Sequence, residues 1–186
     1  MKTERKLALA LKSMMAKYPL DEISVVKLTD KCHINRQSFY YHFHDIYDLL
    51  TLLFLDERIE GIDKVKNEHE MLEAIYRYYD QNTAFIDATI KSAAKDLFGE
   101  FVFNNCYQCF TRFIESVELS KKLDKNHKKN IVRYYSSAFC SLIMTYLESM
   151  KNKTLKGLLS SFDFLSEGEV ARSVQVLIQK NLKGDN

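Results

Sequence analysis

Glycine and proline are scarce in this sequence: five Gly and one Pro, Pro19, among 186 residues. That is roughly a quarter of average usage. So few breakers allow few tight turns, which excludes β-sandwiches, barrels and glycine-rich nucleotide folds and leaves long helices. Neither G-x-G-x-x-G nor G-x-x-x-x-G-K occurs, so phosphate cradles of those kinds are absent. Cysteine is limited to Cys32, Cys106, Cys109 and Cys140, too few for a disulfide framework. Long apolar runs are missing as well. The longest uncharged stretch, Tyr134 to Leu147, has fourteen residues, several of them polar, whereas a membrane span needs about 20 apolar residues. The apolar run behind the charged first residues ends at Lys12, too short for a signal-peptide core. The expectation is a soluble, cytoplasmic protein with reduced thiols and no membrane partner.

Charge of one sign is also lacking. The formal net charge is +2, and residues 1–50 carry it, with eight Lys and Arg against six Asp and Glu. Three of the five His lie there too. The excess is small and lends little support by itself to a nucleic-acid partner. The apolar content of 46% is enough for a real core.

Helical periodicity is what the sequence does have. Leu7, Ala10, Leu11, Met14 and Met15 share one face of a helix over 4–17, which Pro19 ends. Ser24 is a good N-cap for a short helix reaching about Lys31, and Asn35 is a second N-cap eleven residues later. Two short helices separated by three or four residues have helix-turn-helix spacing. The third helix runs from Arg36 to about Phe43, with Phe39 and Phe43 turned inward. A fourth spans 46 to about 65, and further helices are expected near 69–81, 84–92, 95–118, 127–151 and 167–182. The last has a capping box, Ser166-x-x-Glu169. The 127–151 helix is apolar over so much of its circumference that it must touch something besides its own core. A second copy of the chain is the simplest candidate, with Phe139, Ile143, Tyr146, Val174, Leu177 and Ile178 as interface residues.

The stretch from Ile23 to Leu50 has the parts of a major-groove reader. Asn35, Arg36, Gln37 and Ser38 stand at the start of the third helix. Arg and Gln can make bidentate bonds to guanine and adenine edges. Tyr40, Tyr41 and His42 add phosphate donors and apolar edges for thymine methyl groups. Ser24 can meet a phosphate where helix N–H groups also point.

This segment resembles the TetR/AcrR family of bacterial transcription regulators. Ser24, Val25, Leu28, Ile34, Ser38, Tyr40, His42, Phe43, Leu49 and Leu50 stand at matching positions, and the match covers residues 7–55. Within the family, the Arg36-Gln-Ser-Phe-Tyr40 run is similar to regulators of dihydroxyacetone-type operons. The resemblance implies an all-α protein with a three-helix DNA-binding domain over 1–48 and a helical effector-binding and dimerisation domain over 49–186. It implies a homodimeric regulator, a repressor by default, whose partners are palindromic double-stranded operator DNA, a second copy and a small-molecule or protein effector. It further implies an effector pocket, for which the aromatics Phe85, Phe98, Phe101, Tyr107, Tyr135 and Phe139 are the candidates. Three positions depart from the family pattern. His33 replaces a frequent turn Gly. Ile46 replaces a Lys that meets a phosphate just before the fourth helix. Val26 replaces a base-contacting basic residue, with Lys27 beside it.

Other readings are weaker. Cys106-x-x-Cys109 lies mid-helix beside Val102, Phe110 and Phe113, so core thiols are favoured over a redox pair. His33, His42 and His44 lack the Cys or carboxylate partners of a metal site, and His69 lacks the second His of a zincin helix. The Lys121, Lys122, Lys125, Lys128, Lys129 run reads as a solvated loop. No acid–base or nucleophile–base set stands out, so neither an enzyme nor a cofactor is expected. The rival to a DNA reader is a helical adaptor that keeps the helix-turn-helix shape and recruits a protein.

Overall fold

The computed structural model describes residues 3–164 and 168–184 and contains helices and turns, with no strand among those residues. Helix α1 (Thr3–Met15) buries Leu7, Leu11, Met14 and Met15, and its turns carry on to Tyr18, just short of Pro19. After one 3-10 turn at Leu20–Glu22 come α2 (Val25–Cys32), α3 (Arg36–His42) and α4 (Ile46–Asp56). Then follow α5 (Glu68–Gln81), α6 (Thr83–Ile90) and α7 (Lys95–Ser116). A 3-10 turn at Glu118–Lys122 leads to α8 (Lys125–Ser149), α9 (Leu155–Ser160) and α10 (Glu169–Gly184).

Two compact units divide the chain. The first comprises residues 1–58 and 78–101, the second 59–77 and 102–186. In the first unit, α1 packs on α2, α4 and α6, and α2 on α3. Phe54 gathers Phe85, Phe98 and Phe101 around it, with ring centroids 5.5, 6.0 and 5.6 Å away. In the second unit, Phe110 meets Tyr135 at 5.5 Å and Phe139 at 4.9 Å, and Phe139 meets Phe162 at 4.6 Å. The division expected at 48/49 separates proposed roles, whereas these units are drawn by packing.

The helices differ from the expected ones in three places. First, α4 stops at Asp56 rather than near 65. Glu57 turns to extended backbone at φ −64°, ψ 145°, and Gly61 adopts φ +75°, where a side chain would be strained. Ile59 is still buried, but from this turn. Second, α9 falls in a stretch that has too few apolar residues for its period to be seen. The Thr154 hydroxyl caps it, accepting from the Gly157 N–H at 3.0 Å. Third, the basic run is not a loop. Lys121 and Lys122 lie on the 3-10 turn, and Lys125, Lys128 and Lys129 on the first turns of α8. Asp124 caps α8 by accepting from the N–H groups of Asn126 and His127, and the His127 ring also meets its carboxylate. These bonds to His127 and Asn126 hold the Asp124 carboxyl below its ordinary range. Ser166 of the expected capping box lies outside the described residues.

Gly157 shows how tightly the α8–α9 connection is built. Tyr146 on α8 donates its hydroxyl to the Thr154 carbonyl at 2.9 Å and accepts from the Thr154 N–H at 2.8 Å. A Cβ on residue 157 would come within 2.5 Å of that hydroxyl. Gly157→Ala is expected to cost about 1–3 kcal/mol through overpacking, read as a lower urea midpoint with an unchanged m-value.

Candidate functional site

The turn between α2 and α3 sets the site. Ser24 Oγ accepts from the Lys27 N–H at 3.2 Å, which fixes the start of α2. At the other end His33 takes left-handed geometry, φ 50° and ψ 48°, and is the one described non-glycine residue with positive φ. The Ile34 N–H then reaches back to the Thr29 carbonyl at 3.0 Å and closes the helix end. Asn35 opens α3, its side-chain oxygen accepting from the Gln37 N–H at 2.9 Å.

Phe39 is fully buried and Phe43 nearly so. A 100° step per residue then puts Gln37 and Tyr41 opposite Phe39. Asn35, Arg36, Gln37, Ser38, Tyr40 and Tyr41 are all exposed, Tyr40 at 59% and Tyr41 at 86%. They form one polar and aromatic surface at solvent. The other three expected contact residues have local partners. Ser24 is engaged as the cap. Lys27 Nζ donates to the Glu22 carbonyl at 2.9 Å. His42 Nδ1 lies 3.2 Å from Glu4 Oε1 on α1. That last pairing spans most of the domain's sequence, and no local pattern announces it.

The three departures from the family pattern have structural counterparts. Ile46 is buried in the core of α4. In front of it Asp45 accepts from the Asp48 N–H at 2.9 Å, and Asp48 accepts from the His44 N–H at 3.1 Å. This is a reciprocal cap built from two carboxylates. Val26 is exposed at 43%.

The six aromatics named for a pocket do not assemble. Phe85, Phe98 and Phe101 belong to the core of the first unit, and Tyr107 stands beside Phe103 in the second. Only Tyr135 and Phe139 line a cavity, a space of about 1070 Å³ within the second unit. The residues that complete it come from the start of α5, from α9 and from the start of α10, among them Leu72, Leu155 and Leu159. The sequence gave no sign of α9, so its contribution was hidden.

The interface residues named from the sequence are also redistributed. Phe139, Ile143, Tyr146, Val174 and Ile178 are buried within the single chain, and Leu177 is half-buried. The apolar stripe of α8 is wide because it fills its own core first. The exposed apolar side chains are others: Tyr134 at 69% on α8 and Val176 at 45% on α10. Tyr134 lies in a shallow depression with Asn130, Arg133, Ser137 and Ala138.

The thiols of Cys106 and Cys109 are buried. Burial pushes both above the ordinary thiol value, helped at Cys106 by Cys140 and opposed at Cys109 by Arg112. Such thiols are poor nucleophiles. Among the described residues no group of three or more His, Cys, Asp or Glu could hold a metal ion. No helix there is long and apolar enough to cross a membrane.

Residues 66–167 match the family model described as a TetR-type transcriptional regulator C-terminal region. Among solved structures, the chain is similar to a protein titled dihydroxyacetone kinase operon activator DhaS, with 22% identity and a TM-score of 0.60. The likeness covers 95% of this chain and 96% of that one, and at this identity it speaks for the fold. No curated protein matches the sequence.

His33 offers a direct test of the turn. His33→Gly is expected to raise stability by about 0.5–1 kcal/mol, the left-handed cost of a side chain less the entropy that glycine loses. His33→Val should lower it. Urea titrations of the two variants beside the parent check the sign.

Proposed function

The chain belongs to the TetR family of transcriptional regulators, and from that premise we propose a homodimer that reads palindromic operator DNA with α3, by default as a repressor. The carrying observation is the exposed face of Arg36, Gln37, Tyr40 and Tyr41, held outward by buried Phe39. In the major groove, Arg36 pairs with a guanine edge and Gln37 with an adenine edge. Ser38, Tyr41 and the N-terminus of α2 at Ser24 meet the phosphates, which position the helix without reading sequence. In a dimer the two copies of α3 fall one helical turn or a multiple apart, about 34–36 Å per turn.

The same reading gives residues 49–186 control of that spacing. An effector in the body, a small molecule or a protein, favours one separation of the two reading helices over another. Coupling of this kind typically amounts to about 1–3 kcal/mol. For the dimer, the exposed side chains of Tyr134 and Val176 support a surface on the outer faces of α8 and α10. The adaptor reading draws on Val26 and on buried Ile46, which leave two basic residues of the family pattern unreplaced.

Two measurements decide between the readings. In gel shifts on an operator selected from random DNA, Arg36→Ala should cost about 1–3 kcal/mol and relax specificity at one base pair. Lys27→Ala should weaken binding evenly across sequences and lower the salt slope by about 1. An adaptor would retain no duplex even at low salt. Tyr134→Glu is expected to weaken dimerisation by about tenfold or more, as loss of an aromatic anchor does. Sedimentation velocity across a dilution series reads that shift. An unchanged dimer would move the interface off this face.

A further inference from the structure

The cavity of the second unit has a floor and a rim of opposite character. Tyr135, Phe139, Phe162 and Leu72 make the floor. Their rings interlock: Phe162 lies on Phe139 at 4.6 Å, and Phe110 braces Phe139 and Tyr135 from behind at 4.9 and 5.5 Å. The rim carries four carboxylates, Glu68, Glu70, Asp163 and Glu169, against Lys156 and His69. Two of them have known neighbours. Glu70 accepts from the Lys66 N–H at 2.8 Å, and Glu169 lies 3.5 Å from Arg172. Burial holds the Tyr135 phenol above its ordinary value, the Ser173 hydroxyl opposes this, and the Glu169 and Glu68 carboxylates add to the rise. Those two charges therefore act on the Tyr135 ring itself.

We propose that this cavity takes an organic cation with a flat or extended apolar body. Its apolar part lies on Tyr135, Phe139 and Phe162, and its charge sits between Glu68 and the electron-rich face of Tyr135. The volume suits a drug-sized molecule, since ligand pockets typically run to about 300–1,000 Å³. The other classes fit less well. An anion meets the carboxylates of the rim. A small hydrated cation leaves the aromatic floor wet. A neutral hydrocarbon strips water from carboxylates and gives nothing in return. The consequence for DNA rests on the reading of the body as an effector module, but the binding itself does not.

Fluorescence anisotropy on the full chain tests the class, with rhodamine 6G as the cation and fluorescein as an anion of similar ring system. Rhodamine 6G is expected to bind, and fluorescein to bind at least about tenfold more weakly, since like charge at a site is strongly disfavoured. Glu68→Gln should weaken rhodamine 6G by about 3- to 10-fold, the range for loss of one partly exposed charge partner. Leu159→Trp, which fills the cavity from a half-buried position, should abolish binding, with melting curves of both variants showing that the fold is kept. Equal affinity for the two dyes, or rhodamine 6G binding indifferent to both substitutions, overturns the proposal. Gel shifts with and without rhodamine 6G separate the two readings. If the dye binds as described but leaves operator affinity unchanged, the ligand class stands and cation-driven control of DNA binding falls. If operator binding is intact and rhodamine 6G is ignored, the ligand class falls alone.

Discussion

The burial of Phe39 is the constraint on which the rest of the first unit depends. Helix α3 has seven residues, too few to hold its shape in water, because nucleation is costly and short helices draw their stability from tertiary packing. Its rotation about its own axis is therefore set by what it buries. With Phe39 fully inside and Phe43 close behind, the period of 3.6 residues leaves Gln37 and Tyr41 on the far side. Asn35 and His33 complete the arrangement, one by capping the helix and the other by bending the chain into it. A polar substitution at Phe39 would remove the anchor and rotate or melt the outward face, although no exposed residue had changed.

A second device holds this domain together away from α3. Lys12 on α1 lies 2.7 Å from Glu57 at the end of α4, and the Tyr78 hydroxyl donates to the other oxygen of the same carboxylate at 2.8 Å. The Lys12 ammonium also stands 5.2 Å from the centre of the Phe85 ring. Burial, and then the Glu57 charge, raise the Tyr78 phenol, so it remains a neutral donor. One carboxylate thus joins α1, the end of α4 and α5. This explains why the compact unit extends past the helix-turn-helix to include residues 78–101.

The DNA-reading half was legible because its signals are local. Ser24 and Asn35 are caps read from their neighbours, Phe39 and Phe43 are spaced by one helical turn, and Pro19 stops α1 whatever surrounds it. The body was legible as helices but not as a site. Its apolar residues serve two units, and periodicity tells that Phe98 and Phe139 are inward without telling inward to what. The cavity depends on α9, six residues held by Thr154 and the clasp from Tyr146, which lie 8 residues apart. The pairs that lock the structure, Lys12 with Glu57, His42 with Glu4 and Tyr76 with the Lys153 carbonyl, are separated by 45, 38 and 77 positions. No window along the chain contains both partners.

The two-carboxylate cap on α4 bears on how a reader of this kind divides its binding energy. A helix N-terminus with open N–H groups attracts phosphate. Here Asp45 and Asp48 already satisfy those donors and add negative charge, while Ile46, where the family often has a phosphate-binding Lys, is turned into the core. The end of α4 therefore repels a DNA backbone that it would otherwise hold. With a net charge of only +2, few phosphates are neutralised and little affinity comes from released counterions. On the proposed reading the base edges met by Arg36 and Gln37 carry a larger share of the total. Non-specific binding falls more than operator binding, because it consists almost wholly of the phosphate contribution. The cap thus sacrifices absolute affinity while widening the ratio of specific to non-specific binding, which is the quantity that locates one operator among many competing sites.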